Sequence, residues 1–494
     1  MFTSTTRKLE KAMEAANSYE EWRDAAIRHD KAQGLDRWKA MDLSRRYDFV
    51  SIRTRLDRLR VMRARHDDQG LLFTLNEGIH GNMGGMGSAK LYAKAKYGTK
   101  QLVVDYVDEI VAALEHLADD KTDSISFEEK LDFFRRAHHC FGCSAFMLSG
   151  SGTLLYFHVG VMKTLLEHDL LPNVLSGSSG GSIVSSIVSC YPKEALLEKF
   201  SLENLIDTNN LADSNNTAAP TSMLGSLLQG VMPQQLPAEK SREMITQLLP
   251  DLTFQEAFEL TGRHLNVSVA PVEAHQTSRL LNAYTSPNVF IREAVFASSA
   301  IPGIYPPVTL AAKNDHGERQ TYLPSRQWVD GSVSDDLPAK RLARLYGVNH
   351  YIVSQTNPHV IPFIADNKRD GSPLSQIKYA GMKTARTWLN TSAEVMRKPL
   401  SYSQTLSRVS NIALSVLNQD YVGDINILPS TRLFNPVKLL AKRSEKDIRE
   451  LVLMGERATW PKLEMIRVQT LIGRTLDRIL KDYEDRVLQK TGQE

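Results

Sequence analysis

Leu175-Ser176-Gly177-Ser178-Ser179-Gly180-Gly181-Ser182-Ile183 is the stretch on which the fold of this chain turns. It follows a short strand-like segment, Asn173 to Gly177, and runs directly into an apolar helical run over 180–191. A G-x-S-x-G turn between strand and helix exposes its central hydroxyl, and small flanking residues keep the two elements from colliding. Ser176, Ser178 and Ser182 lie nearby, but only Ser179 is centred between Gly177 and Gly181. Ser179 is therefore the candidate nucleophile, with the start of the following helix placed to favour developing negative charge. The plainer alternative is a glycine-serine turn that only joins two elements.

Upstream, residues 144–149 (SAFMLS) read as a buried strand, followed by Gly150-Ser151-Gly152-Thr153 and a helix over 154–167. Strand, glycine turn, helix, strand, sharp turn, helix is the pattern of an α/β unit with a parallel sheet. A serine that attacks an ester needs donors already aimed at the oxyanion. The glycine turn would supply them, Gly152 first, with Gly150 and Ser151 assisting by shape or through their own amides.

The attacking serine also needs a base. Asp330, in Trp328-Val329-Asp330-Gly331-Ser332, follows a short apolar strand and precedes a glycine. Burial would make such a carboxylate a better base. Asp335 and Asp336 are alternatives, expected to be solvated or structural in a more open, charged stretch. A histidine triad competes: among the downstream histidines, His359 follows a strand, and Ser179, Asp330, His359 run in a known hydrolase order. His158 reads as a packed helix residue. No histidine-glutamate zinc signature is present, so neither metal nor cofactor is implied.

Further out, apolar residues at helical spacing (Leu9, Met13, Ala16; Ile52, Leu56, Leu59) predict amphipathic helices over about 1–66. A glycine-bearing loop is expected over 67–100, without the residue order of a phosphate loop. Helices are expected over 101–118, 126–139, 289–299 and 461–488, the last with an Ile472, Leu476, Leu480 stripe; strands are expected over 264–270, 327–329 and 351–354. The domain expectation is a helical accessory domain (1–138), a catalytic α/β domain (139–372) with a variable excursion at 203–235, and a mainly helical region (373–494) packed on it. The excursion is either a surface loop or a lid, its run MLGSLLQGVM supplying apolar residues.

The 494 residues, 42% hydrophobic, suffice for a sizeable core. A balance of 60 basic and 57 acidic residues leaves +3. That lacks the concentrated basic face of a nucleic-acid binder but is compatible with a membrane surface. Cys140, Cys143 and Cys190 form no disulfide framework and fit a reducing, cytoplasmic compartment. Cys140-x-x-Cys143 has no second pair to complete a zinc site and is read as incidental. Neither a signal peptide nor an apolar run of about 18 residues is visible.

The ordered motifs resemble the patatin-like phospholipase family, in particular its branch of fungal triacylglycerol lipases and related bacterial proteins with an N-terminal helical domain. Gly78-Ile79-His80, Asn82, Gly84 and Tyr97-Gly98-Thr99-Lys100 look like that branch's accessory domain. The run from Ala300 to Pro307, Asn357-Pro358-His359 and Tyr421 to Ile425 look like its lipase core. The resemblance spans roughly residues 20–465. It implies a three-layer α/β/α core with a mostly parallel sheet, and hydrolysis of glycerolipid acyl esters by a Ser-Asp dyad, Ser179 and Asp330. It also implies an oxyanion turn at Gly150, Ser151 and Gly152. The expected substrate is phospholipid, lysophospholipid or acylglycerol at a membrane or lipid-droplet surface, met by a peripherally attached protein; homo-oligomerisation is left open. The turn departs from the family's G-G-G-x-[RK]-G, so no basic side chain is expected there. Acyl transfer to a lysophospholipid, or silent lipid binding through amphipathic helices, are the competing functions.

Overall fold

Caps and apolar stripes lay out the helices. Ser18, Asp48, Asp67 and Ser126 each accept a backbone N–H from the first turn of the helix they precede. The computed structural model describes residues 4–211, 238–273, 276–302, 305–333, 335–357, 423–430 and 443–491. They divide into two compact units: Met1–Ser144 with Ala343–His350 and Thr459–Glu494, and Ala145–Leu342 with Tyr351–Ala458.

The first unit is helical. Helix Gln101–Ala118 buries Leu102, Val103, Tyr106, Val107, Ile110, Ala113, Leu114 and Leu117, a helical-period stripe packed on helices Phe49–Ala64 and Leu463–Thr491. In the last of these the buried stripe is Ile472, Leu476, Ile479 and Tyr483, with Leu480 half-buried beside it. Tyr483 meets the rings of Phe127 and Phe134. The predicted loop over 67–100 contains a helix, Asp68–Gly78, because Asp67 caps it and Leu71, Leu72 and Leu75 give it a buried face. The Tyr97–Lys100 motif has a structural use here. Buried Asp30 accepts from the N–H groups of Lys96 (2.9 Å) and Tyr97 (3.1 Å) and from Lys39 Nζ (2.8 Å). Buried Lys100 donates from Nζ to the carbonyls of Trp38 and Met41, each at 2.6 Å, and of Leu43 at 3.3 Å.

The second unit is built on a seven-stranded sheet. Its strands are β1 Cys143–Leu148, β2 Val174–Gly177, β3 His264–Pro271, β4 Arg279–Leu281, β7 Trp328–Asp330, β8 Val348–Ser354 and β9 Ile425–Ile427. A separate hairpin pairs β5 Ala311–Lys313 with β6 Arg319–Thr321. The main order is β4-β3-β2-β1-β8-β9, with β7 also on β3. Pairs β1–β2, β2–β3 and β8–β9 are parallel; β4 and β7 run antiparallel to β3. The central sheet is thus mostly parallel, as expected.

Short β4, β5, β6 and β9 carry too few residues for a period to be read from sequence. Helices Gly180–Cys190 and Ile291–Ser299 pack on β3. Helix Leu155–Glu167 meets Glu445–Thr459 so closely that a Cβ on Gly160 would lie 2.0 Å from the Val452 carbonyl oxygen, and Lys163 pairs with Glu456 at 2.7 Å beside the crossing. The excursion's run MLGSLLQGVM, residues 373–422 and His359 lie outside the described residues.

Candidate active site

Register brings the pieces together. Leu148, the last residue of β1, pairs with Gly177, the last of β2, and Gly177 pairs in turn with Val267 of β3. The glycine turn and the serine turn therefore leave adjacent parallel strands at the same end, where crevices form in open α/β sheets. Strand β7 delivers Asp330 to that end by pairing it with Val269.

Ser179 has φ 49° and ψ −128°, a backbone that costs an ordinary residue about 1–3 kcal/mol. The surroundings impose it. Its N–H donates to Ser298 Oγ at 2.9 Å, and helix Gly180–Cys190 begins at once. A Cβ on Gly181 would sit 2.6 Å from the carbonyl oxygens of both Leu148 and Ser149; one on Gly180 would sit 2.2 Å from Ser151 Oγ. The glycines in the motif are thus close approaches of strand, turn and helix.

Asp330 is buried; its carboxylate accepts from the Ser332 N–H at 2.8 Å, and the side chains of Ser332 and Ser179 lie near enough to favour its charged form. Burial raises its pKa to about 6, with those groups opposing the rise. The result is a carboxylate more basic than usual yet mostly ionised at neutral pH, beside the residue at the strained turn.

In the glycine turn one of the two roles offered for Gly150 is favoured, and one expectation changes. Gly150's N–H donates to Asp336 Oδ1 at 2.7 Å, so Gly150 shapes the turn and does not offer its amide to the crevice. The N–H groups of Ser151, Gly152 and Gly180 make no hydrogen bond among the described residues. The unbonded N–H of Gly180, the first residue of its helix, was not singled out from the sequence; its position just after Ser179 is the signal that marks it. A basic side chain also stands at the turn after all: buried Arg443 donates from Nε to Thr153 Oγ1 at 3.0 Å, from a part of the chain too distant in sequence to be paired with it.

The other candidates separate cleanly. Asp335 is half-buried and pairs with Arg341 at 3.2 Å. Asp336, expected in an open stretch, is instead 1% exposed, because its segment folds back beneath both turns. His158 is fully buried: its Nε2–H donates to the Ser149 carbonyl at 3.0 Å and its Nδ1 accepts from Ser354 Oγ at 2.7 Å. Burial lowers its pKa to about 4, so it stays neutral and holds the ends of β1 and β8. Among the described residues no group of three or more His, Cys, Asp or Glu is placed to hold a metal ion.

Residues 146–343 match the family model described as patatin-like phospholipase, and residues 1–139 match a domain of unknown function. Triacylglycerol lipase 4 of Saccharomyces cerevisiae is 32% identical over 96% of this chain and 53% of its own length. Triacylglycerol lipase ptl2 of Schizosaccharomyces pombe is 30% identical over 96% and 75%. Triacylglycerol lipase SDP1L of Arabidopsis thaliana is 31% identical over 94% and 57%. The chain spans about half the length of the first of these curated relatives.

Proposed function

Because the chain belongs to the patatin-like phospholipase family, we propose that it hydrolyses acyl esters of glycerolipids through a Ser179–Asp330 dyad. The observation that carries this reading is Ser179 on a strained turn at the strand end to which β7 brings Asp330, a buried carboxylate whose proton affinity burial has raised and whose charge the nearby Ser179 side chain favours. Ser179 Oγ attacks the ester carbonyl as its proton passes to Asp330. The N–H groups of Ser151, Gly152 and Gly180 receive the oxyanion. Collapse expels the alcohol, which takes the proton from Asp330 and leaves an acyl-serine. Water then attacks the acyl group, giving its proton to Asp330. Release of the fatty acid returns that proton to Ser179.

Relatives bearing the name triacylglycerol lipase favour acylglycerols within the glycerolipid class. On this reading the reaction occurs at a membrane or droplet surface, met from the water side by a cytoplasmic, peripherally attached protein. Among the described residues no helix is long and apolar enough to cross a bilayer.

Purified protein assayed on triacylglycerol, phospholipid and lysophospholipid, with Ser179→Ala alongside, tests the reading. Hydrolysis lost in Ser179→Ala and in Asp330→Asn but kept in His359→Ala supports the dyad. Equal rates for wild type and Ser179→Ala on every lipid refute it, and loss in His359→Ala refutes the dyad in favour of a triad. Flotation with droplets and with anionic vesicles tests the surface assignment.

A further inference from the structure

Asp336 is as deeply buried as Asp330, and the dyad leaves it without a role. Its Oδ1 accepts from the Gly150 N–H at 2.7 Å and from the Ser178 hydroxyl, and its Oδ2 accepts from Asn357 Nδ2 at 2.5 Å. Those three donors come from different pieces of the site. Gly150 opens the glycine turn after β1, Ser178 precedes the candidate nucleophile after β2, and Asn357 lies just beyond β8. We propose that Asp336 is a positioning residue, a clamp through which one carboxylate sets the oxyanion turn at a fixed offset from the nucleophile turn. The proposal rests on the reading that Ser179 is the nucleophile and the glycine turn its oxyanion site.

The rest of the turn has the form such a clamp requires. Gly150 is tied through both halves of its backbone, because its carbonyl oxygen accepts from Thr356 Oγ1 at 3.1 Å while its N–H is held by Asp336. With Gly150 immobilised, the next two N–H groups, of Ser151 and Gly152, are oriented by the chain itself. On the opposite side Ser178, adjacent to Ser179, is gripped by the same oxygen. Two turns that belong to different strand–helix crossovers thus share one acceptor, and a displacement of either is resisted by the other. Burying a carboxylate is costly, and burial together with the charge of Asp330 raises Asp336 to about 7. A fold that tolerates this cost next to another acid obtains donor placement that an apolar residue could not supply.

Removing the acceptor should therefore slow chemistry while leaving substrate capture nearly intact. In Asp336→Ala, kcat on a soluble short-chain ester should fall about 10²-fold, the scale of a donor misplaced by about 1 Å, with KM within about threefold. The rate of fluorophosphonate labelling of Ser179 should fall in parallel. Asp336→Asn keeps an Oδ1 acceptor for Gly150 and Ser178 and should restore kcat to within about tenfold of wild type, a rescue that loss of general stability would not produce. Wild-type kcat in folded Asp336→Ala overturns the proposal, as does Asp336→Asn no faster than Asp336→Ala. Should Asp336→Ala not fold, Asn357→Ala, which removes only the outer bond, carries the test: a loss in kcat of about three- to tenfold at constant KM supports the clamp, and an unchanged kcat overturns it. Ser179→Ala separates the two readings. Full activity in that variant removes the nucleophile assignment and the clamp with it, whereas an inactive Ser179→Ala beside a fully active Asp336→Ala removes the clamp alone.

Discussion

Replacing Asp330 by asparagine should abolish turnover and at the same time stabilise the catalytic unit. The carboxyl is 2% exposed, and burial raises its pKa from 3.8 to about 6. Between about pH 4 and pH 6 the folded chain holds a proton that the unfolded chain has already released. Stability from this group is therefore fully present below about pH 4 and is lost as pH rises through about 6. A rise of about two pH units corresponds to about 3 kcal/mol. Asparagine carries no charge to desolvate, and its amide can still accept from the Ser332 N–H and donate to Ser179 Oγ. Asp330→Asn should then exceed wild type by up to about 3 kcal/mol at pH 8 and by little at pH 4. For a unit of this size the gain is roughly 6 °C in Tm, read by differential scanning calorimetry at both pH values. A variant no more stable than wild type at pH 8, or an equal difference at the two pH values, would refute the claim that the site holds an ionised carboxylate at an energetic cost.

Three other outcomes are expected. On a soluble ester, kcat/KM should fall about tenfold per unit below an apparent pKa near 6, as Asp330 takes up its proton; an acid limb near 4 would contradict the burial argument. Gly181→Ala places a Cβ 2.6 Å from two backbone carbonyl oxygens, so the serine turn must shift and fluorophosphonate labelling should slow by about 10²-fold; labelling at the wild-type rate would contradict it. Lys100→Met takes the ammonium from the carbonyls of Trp38, Met41 and Leu43 and should cost the first unit roughly 2–3 kcal/mol in chemical denaturation. An unchanged midpoint would show that the buried lysine does not hold that loop.

Local signals made much of this protein legible in one dimension. Small residues around Ser179 are needed because strand, turn and helix touch there, so the motif is written into consecutive positions. The same holds for the glycine turn after β1 and for the helices whose apolar stripes and caps lie within a few turns. Asp330 could be chosen because a strand ends on it, a feature of its own neighbours in the chain.

Partners distant in sequence were another matter. Nothing in the local sequence distinguishes Asp336 from its half-buried neighbour Asp335; it is buried because Gly150, Ser178 and Asn357 converge on it from three crossovers. Arg443 reaches Thr153, and Ser298 receives the Ser179 N–H, across gaps that periodicity does not encode. The apolar stripe of Leu463–Thr491 specifies that the helix must be covered, whereas only the contacts group it with the N-terminal helices. Sequence alone thus determined most of the elements and the glycine-flanked turn that carries Ser179, because propensity, caps and steric exclusion act over a few residues. Tertiary structure decided which amides of the turns are bonded and which are left unbonded, that both Asp330 and Asp336 are buried, and their proton affinities, because desolvation and hydrogen-bond competition depend on the surroundings that the whole fold assembles.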